Sequence, residues 1–177
     1  CAGRDRDPTG REPRQYRVSA RGAGDDALLN RAAEVLSAAK NPAIIAGLGA
    51  TETNAAPVIS RLAQQLGAPV ANSYLHNDSF PYVDELAVGP IGYQGSKAAM
   101  RLLSQADCIL AIGTRLSGLG TLPQYGFDYF PKGAKIVQVD VDYKQLGRVR
   151  RLSRRRTTTA PCPPASPSRH WTERGCP

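Results

Sequence analysis

Short apolar runs alternate with helix-spaced apolar faces along most of this chain. Apolar runs predict buried strands at 43–46, 69–71, 108–112 and 135–141. Helical spacing predicts helices over about 25–40, 53–66 and 96–106, and another over 142–149. Short glycine-bearing turns join these elements, as in right-handed β-α-β units. The pattern therefore predicts an α/β fold, a Rossmann-like open parallel sheet with helices on both faces.

Local signals place the helix ends. Asp25 and Asp26 favour a helix start, because carboxylates are stabilised at the positive end of the helix dipole. Gly67 is expected at the end of the second helix, and Ser96 is expected to cap the third. The residues expected to face inward are Leu28, Leu29, Ala32, Ala33, Val35 and Leu36 in the first helix, and Val58, Ile59, Leu62, Ala63 and Leu66 in the second.

Charge divides the chain into three parts. The 177 residues carry a formal net charge of +8. Residues 1–22 contribute +3 and residues 151–177 contribute +5, while basic and acidic side chains cancel between them. The basic balance therefore says nothing about the partners of the middle part. We expect a disordered segment over 1–16, one domain over 17–150 and a disordered Arg/Pro-rich tail over 151–177.

The arginine-rich ends have three interpretations. Arginine favours nucleic acid or an anionic membrane surface, yet only His170 and Trp171 offer rings for base stacking. A solvated extension is the second interpretation. The composition favours the third, translation out of frame at both ends, because Arg, Pro, Ser, Thr and Cys occur without a hydrophobic period. Nucleic acid is therefore not an expected partner.

The cysteines and apolar runs indicate whether the chain binds metal, crosses a membrane or lies in a reducing cellular compartment. The four cysteines form no C-x-x-C pair, and the spacing of Cys162, His170 and Cys176 matches no zinc pattern. Cys108 lies in an apolar run and is expected to be buried. Without a disulfide framework, a reducing cytoplasm is expected. No apolar run approaches the ~20 residues that span a bilayer, and residues 1–22 hold no signal-peptide core.

Two glycine-rich turns follow predicted strands. Residues 47–50 (GLGA) lie where glycines let a phosphate approach a helix N-terminus. Glu52 replaces the third glycine of that fingerprint and would repel a pyrophosphate, which favours a plain tight turn. Residues 89–97 (GPIGYQGSK) could cradle an anion. They lack the G-K-[ST] of a phosphate-binding loop, which favours a packed loop that caps the next helix.

Polar residues after two strands are the candidates for substrate binding. His76 and Asn77 follow the second predicted strand, and Arg115 follows the third. Ligands of parallel sheets bind at this edge, where an arginine suits a phosphate or sulfonate. Alternatively, the His76 loop packs as a turn and Arg115 binds loop carbonyls or Asp128. A catalytic triad is excluded, because adjacent residues cannot adopt its geometry and no nucleophile elbow is present.

Four sequence runs closely resemble one enzyme family. They are 72–81 (NSYLHNDSFP), 92–100 (GYQGSKAAM), 113–116 (GTRL) and 120–124 (GTLPQ). These runs resemble the central domain of the sulfoacetaldehyde acetyltransferase family, which belongs to the thiamine-diphosphate enzymes of the acetolactate synthase and pyruvate oxidase superfamily. The resemblance extends over about residues 17 to 150. The first two runs are specific to this family, whereas the strand KIVQVD is common across the superfamily.

The resemblance implies a reaction, cofactors and partners. Such enzymes convert sulfoacetaldehyde and phosphate to acetyl phosphate and sulfite in sulfonate catabolism. They use thiamine diphosphate anchored by Mg²⁺, and they form homo-oligomers. Their cofactor-binding domains, with a catalytic glutamate and a GDG metal motif, flank the central domain and do not occur in this sequence. The chain is therefore expected to be an inactive fragment of a cytoplasmic acyltransferase, without catalytic residues or metal ligands of its own.

The sequence departs from the family after residue 150. The Arg/Pro-rich tail stands where the last strand and helix of the central domain should follow, so the sheet is expected to lack its last strand. Two other functions remain open. A thiamine enzyme of the acetolactate synthase type would hold FAD in this domain, although FAD is not the expectation here. A non-enzymatic binding module would instead use the basic tails.

Overall fold

The computed structural model describes residues 24–147 and 157–159. Its elements, in chain order, are α1 (Asp26–Ser37), β1 (Pro42–Ala46), α2 (Leu48–Glu52), α3 (Ala56–Leu66), β2 (Val70–Asn72), β3 (Ala87–Pro90), α4 (Lys97–Leu103), β4 (Cys108–Ile112), β5 (Lys135–Val139), a 3₁₀ turn (Tyr143–Gln145) and β6 (Thr157–Thr159). The predictions for residues 1–16 and for most of the tail lie outside these residues.

The six strands form one parallel sheet in the order β3-β2-β1-β4-β5-β6. β1 and β4 form its centre, paired from Pro42 opposite Cys108 to Ala46 opposite Ile112. The chain steps outward from β1 to β3 on one side and from β4 to β6 on the other, so the strand order reverses between β1 and β4. This doubly wound arrangement confirms the predicted α/β fold.

Helices cover both faces of the sheet, because alternate residues of a strand point to opposite sides. Ile44 and Ala46 pack in the core under α1, α2 and α3. Ala43 and Ile45 pack in the core on the other face, which includes buried residues of α4. All five residues of β1 are buried, as expected for a central strand of a parallel sheet.

The three residues predicted to begin or end helices do so, although α1 ends at Ser37 and α4 at Leu103, both earlier than predicted. The Asp25 carboxylate caps α1 and accepts hydrogen bonds from the amides of Ala27 and Leu28. Gly67 ends α3 in the left-handed conformation, at φ +62°. The Ser96 hydroxyl caps α4 and accepts from the Ala99 amide at 3.3 Å.

The second predicted helix begins later than expected. Residues 48–52 form the short helix α2, although a turn was predicted over 47–50. The longer helix α3 starts only at Ala56. Between them the Thr53 hydroxyl donates to the Gly49 carbonyl, and Asn54 adopts φ +50°. This local side-chain bond competes with continued helix, which explains the interruption.

The inward faces of α1 and α3 are narrower than predicted. Leu29, Ala33 and Val58 are exposed, Val58 by 57%. The residues that reach the core repeat at helical spacing along one stripe, which in α3 runs through Ile59 and Ala63. Residues one position away from such a stripe are rotated by about 100° and point toward solvent.

Two strands were not predicted. β3 contains Gly89 and Pro90, which are disfavoured in strands, and it forms an edge of the sheet. β6 lies in the tail, where no regular element was expected, and it pairs with Ile136–Gln138 of β5. Its three threonines are β-branched and favour extended backbone. The prediction that the sheet lacks its last strand is therefore wrong, because a short sixth strand occupies that place.

The last predicted helix is not formed over the described part of 142–149, which holds only a 3₁₀ turn. Asp142 accepts from the amide of Lys144 and from the side chain of Gln145, a local arrangement that stabilises the turn. Within the described part of the chain, no helix is long and apolar enough to cross a membrane.

Candidate functional site

All six strands run in parallel, so their carboxyl ends meet at one edge of the sheet, the carboxyl edge. The loops that follow β2, β3 and β4 there begin at Ser73, Ile91 and Gly113. These loops contain the predicted candidates and most of the runs on which the resemblance rests. Ligands of doubly wound folds bind at this edge, at the point where the strand order reverses.

That reversal point, between β1 and β4, is closed by backbone. The Gly49 amide donates to the Gly113 carbonyl at 3.0 Å, and the Gly47 amide donates to the Ile112 carbonyl at 3.0 Å. A Cβ atom on Gly113 would lie 2.5 Å from the Gly49 Cα atom. The two turns are in direct contact and leave no room for a pyrophosphate between them. The tight-turn interpretation of residues 47–50 therefore describes this segment better than a dinucleotide loop.

The glycine-rich loop after β3 is a packed helix cap. Its amides are used within the chain, since Gly92 donates to the Tyr129 hydroxyl at 2.9 Å and Ser96 donates to the Pro90 carbonyl at 2.7 Å. A Cβ atom on Gly95 would lie 2.8 Å from backbone atoms of Ile91. An anion cradle needs free amides that converge on one point. The loop therefore fits the packing interpretation.

Asn72 folds the loop after β2 onto the sheet. The residue is fully buried, and its Nδ2 atom lies within 3.4 Å of four acceptors: the carbonyls of His76, Asn77 and Phe80 and the Ser79 hydroxyl. The Ser79 hydroxyl in turn donates to the Ala46 carbonyl at 2.9 Å. The Oδ1 atom of Asn72 is buried and has no hydrogen-bond partner among the residues that the structure describes. One amide group thus determines the shape of the loop that carries His76 and Asn77.

A second set of buried polar groups joins the loops after β2, β4 and β5. The hydroxyls of Ser73 and Thr114 are 3.1 Å apart. The Gln138 side chain donates to the Thr114 carbonyl at 3.0 Å and accepts from the Gly147 amide at 3.0 Å. These bonds hold the carboxyl edge in one arrangement, because each buried polar group would lose a partner if a loop moved.

The sequence-predicted candidates lie on neighbouring loops of this edge. His76 is half-buried, whereas Asn77 and Arg115 are exposed. The hydrogen bond between Ser73 and Thr114 brings their two loops together. The side chains of His76, Asn77 and Arg115 donate or accept no hydrogen bond within the described residues. Among the described residues, Arg115 therefore binds neither loop carbonyls nor Asp128, which was the alternative interpretation.

The groups that organise the edge were missed from the sequence. Asn72, Ser73, Thr114 and Gln138 are all buried polar residues within or next to predicted strands. A polar residue in an apolar strand needs a partner, and that signal was available. The partners could not be read from the sequence, because Gln138 joins loops that follow two different strands.

Residues 29–155 match the family model of the thiamine pyrophosphate enzyme central domain. The chain belongs to this family. This central domain is 56% identical, over 133 residues, to sulfoacetaldehyde acetyltransferase of Castellaniella defragrans. The aligned residues cover 75% of this chain and 22% of the relative. The domain is 27% identical to the acetolactate synthase large subunit of Corynebacterium glutamicum over 124 residues, 70% of this chain and 19% of the relative.

A solved structure supports the same assignment. An X-ray structure described as that of a thiamin diphosphate-dependent enzyme from Mycobacterium smegmatis superposes with a TM-score of 0.62 at 25% identity. The superposition covers 81% of this chain and 26% of the other. The chain therefore spans about a fifth to a quarter of the length of the relatives it matches.

The described residues of this central domain do not fit a metal-bound diphosphate. No group of three or more His, Cys, Asp or Glu side chains in them could hold a metal ion. Cys108 is buried, which raises the pKa of its thiol to about 11, and the thiol is therefore neutral at pH 7. The closed reversal point offers no space for a diphosphate either.

Proposed function

We propose that this chain is the central domain of a sulfoacetaldehyde acetyltransferase. Such an acyltransferase would form acetyl phosphate and sulfite from sulfoacetaldehyde and phosphate. The observation that carries the proposal is the gap in identity between two groups of relatives. The acetyltransferases are 49–56% identical to the chain, whereas the acetolactate synthases are 27–32% identical.

In this proposal the chain has a structural and positioning role. Thiamine diphosphate and Mg²⁺ would bind in other parts of the enzyme, where the catalytic groups would also lie. FAD would not be a cofactor, because Gly49 and Gly113 close the reversal point of the sheet. We further propose that the domain extends over 17–150, and that the enzyme is a cytoplasmic homo-oligomer of sulfonate catabolism.

We propose His76, Asn77 and Arg115 as the residues of this domain that face substrate. The guanidinium group of Arg115 is exposed and forms no hydrogen bond within the described residues, so it is available for an anion. Arginine binds the oxygens of sulfonates and phosphates in a bidentate geometry. Both anions occur in the proposed reaction, one as part of the aldehyde and the other as the acyl acceptor.

The test uses acetyl phosphate formation. The purified 177-residue chain, supplied with thiamine diphosphate, Mg²⁺, sulfoacetaldehyde and phosphate, is expected to give no product above a protein-free blank. A chimera in which residues 29–155 replace the matching segment of the Castellaniella defragrans enzyme is expected to form acetyl phosphate. A chimera that forms acetolactate from pyruvate but does not convert sulfoacetaldehyde would contradict the proposal.

Arg115 is tested in the same chimera. Arg115→Gln is expected to raise the KM for sulfoacetaldehyde or phosphate by about tenfold or more, because a charged hydrogen bond contributes about 1.5–3 kcal/mol. Arg101→Gln is the matched control, since Arg101 is an exposed arginine on α4, away from this edge. Equal KM values for both variants would remove Arg115 from the site.

A further inference from the structure

Four large apolar side chains lie at the carboxyl edge, and three of them are exposed. They belong to Tyr74, Leu75, Tyr93 and Leu119, here named the apolar patch. Leu75 is 75% exposed, Leu119 is 58% exposed and Tyr93 is 47% exposed. Single exposed apolar residues are common on protein surfaces, whereas a contiguous group of them marks an interaction site.

Three loops supply the apolar patch, and these loops are in contact with one another. The rings of Tyr74 and Tyr93 meet edge to face, with centroids 6.3 Å apart. The Tyr93 amide donates to the Leu119 carbonyl at 3.0 Å. A Cβ atom on the intervening Gly92 would lie 3.0 Å from the Tyr74 Cβ and 2.6 Å from the Leu119 oxygen. The patch is therefore one surface.

The loop segments that form this surface contain no charged side chain, and Asp78 and Arg115 lie just beyond them. The segments 72–77, 91–95 and 116–124 supply it, and they contain no Asp, Glu, Lys or Arg. The chain as a whole is 21% charged, so the three segments together are poorer in charge than the rest of the chain. The buried centres of protein interfaces are depleted of charged residues in the same way and enriched in tyrosine.

Backbone strain is concentrated in the same loops. Leu75 has φ +66°, Gln94 has φ +61° and Leu116 has φ +50°. A left-handed conformation costs a non-glycine residue about 1–2 kcal/mol, and such residues cluster at functional surfaces. At Leu75 this conformation accompanies a side chain that is exposed to water. The chain alone gains nothing from that arrangement, which indicates that a partner covers the side chain.

The surroundings of the apolar patch favour a protein partner over a small molecule. Next to it, the reversal point of the sheet is closed by the contact between Gly49 and Gly113. A cavity of about 560 Å³ lies at the opposite edge, between Gln64 and Gly67 on one side and residues 83–86 on the other. This closed backbone suits a protein partner better than a metabolite.

We propose that the apolar patch is the docking surface for the rest of the enzyme chain, the part of the acetyltransferase outside its central domain. This inference rests on the proposed function. The matching segment makes up 22–23% of the acetyltransferases, so nearly four fifths of such an enzyme lies outside it. A domain described as central has neighbours in its own chain, and the patch is the uncharged surface on which they can pack.

Hydrogen exchange, read at single amides, tests the docking. The amides of Tyr74 and Leu75 donate no hydrogen bond within the described residues, so they should exchange rapidly in the 177-residue chain. In the chimera with the Castellaniella defragrans enzyme they are expected to exchange at least about tenfold more slowly, because docking excludes water. The Val83 amide, on a loop whose valine is 93% exposed, is the internal control and should not change. Unchanged exchange at Tyr74 and Leu75 would overturn the proposal.

Exchange and turnover separate the two proposals. Acetyl phosphate formation by a chimera whose patch stays unprotected would refute the docking surface and leave the proposed function intact. A protected patch in a chimera without turnover would support the docking surface and refute the proposed function.

A second measurement needs only the 177-residue chain. Leu75→Ser with Leu119→Ser is expected to remove most of the fluorescence of a hydrophobic dye. The matched control, Val58→Ser with Val83→Ser, removes two exposed valines elsewhere and should keep it. If both double variants lose the same fraction of dye fluorescence, the apolar patch is not the surface that binds the dye, and the proposal is refuted. A wild-type dimer in light scattering that only the first variant abolishes would show that a second copy is the occupant, and would overturn the proposal.

Discussion

Asn72 occupies the last position of a buried strand, where the chain pattern favours an apolar side chain. Its burial is tolerated because the Nδ2 group faces four acceptors in the loop that follows. The opposite amide orientation would place Oδ1 against carbonyl oxygens, so the contacts define the orientation. The Oδ1 atom, which has no partner in the described part of the chain, has a desolvation cost, and the loop contacts offset it. A single residue thereby links the sheet to the loop that carries the candidate site.

Asn72→Ala is expected to destabilise the full chain by about 3 kcal/mol, because several buried loop groups lose their donor at once. Urea unfolding followed by circular dichroism gives the value. Asn77→Ala is the control, since its side chain is exposed and forms no hydrogen bond within the described residues. It should change stability by less than about 0.5 kcal/mol. Similar effects of the two substitutions would mean that Asn72 does not hold the loop.

At the scale of elements, α2 is the feature that distinguishes this sheet from one with an open crevice. It has five residues, and its first turn lies against the turn after β4. Gly49 and Gly113 permit this approach because neither has a Cβ atom. A helix of this length has little stability of its own, so its position depends on the contact with β4.

Gly113→Ala tests this contact against a matched glycine. Gly113 and Gly67 have φ +59° and +62°, so alanine costs each position a similar amount, about 1 kcal/mol. Only at Gly113 would the new methyl group meet backbone, 2.5 Å from the Gly49 Cα, whereas nothing lies within 4 Å at Gly67. Gly113→Ala should therefore lose about 2–3 kcal/mol more than Gly67→Ala in thermal or urea unfolding. A difference below about 0.5 kcal/mol would show that the turns can separate easily.

For the whole molecule, Asp107 ties three strands together at the amino edge of the sheet. Its carboxylate accepts from the amides of Lys40 and Asn41, which precede β1, and its carbonyl accepts from the Lys135 amide that starts β5. Desolvation raises the pKa of this carboxyl. The hydrogen bonds from Lys40 and Asn41 and the charge of Lys135 together outweigh it, and they hold the pKa below its usual 3.8.

The lowered pKa of Asp107 predicts acid sensitivity of the whole fold. Because the folded pKa lies below the unfolded one, the stabilisation is fully present above about pH 4 and is lost as the pH falls through the folded pKa. Asp107→Asn should therefore be less stable than wild type at pH 7, with the difference shrinking as the pH is lowered below 4. Unfolding curves at several pH values measure it. Asp78→Asn, on an exposed loop, should leave the pH profile unchanged, and a constant deficit for Asp107→Asn would refute the linkage.

The sequence was most informative where a segment is buried on all sides. β1 and β4 are continuous apolar runs, and their burial in the sheet centre follows from composition alone. β3 was missed because Gly89 and Pro90 contradict local strand preference, and only pairing with β2 makes that segment a strand. The candidate residues were assigned to the correct edge, since loop position follows from strand order. The patch around Leu75 was not foreseen, because it depends on contacts between three loops.

The parallel topology also dictates when the sheet can form during synthesis. β1 obtains its second neighbour only when β4 exists, since Pro42 pairs with Cys108. All neighbouring strands of the described sheet are parallel, so no hairpin among them can fold early as a local unit. Sequence-distant pairing of this kind slows folding. A ribosome-bound chain must therefore keep one side of the fully buried strand β1 unpaired until residue 112 has emerged, which makes that interval the period of greatest exposure to aggregation.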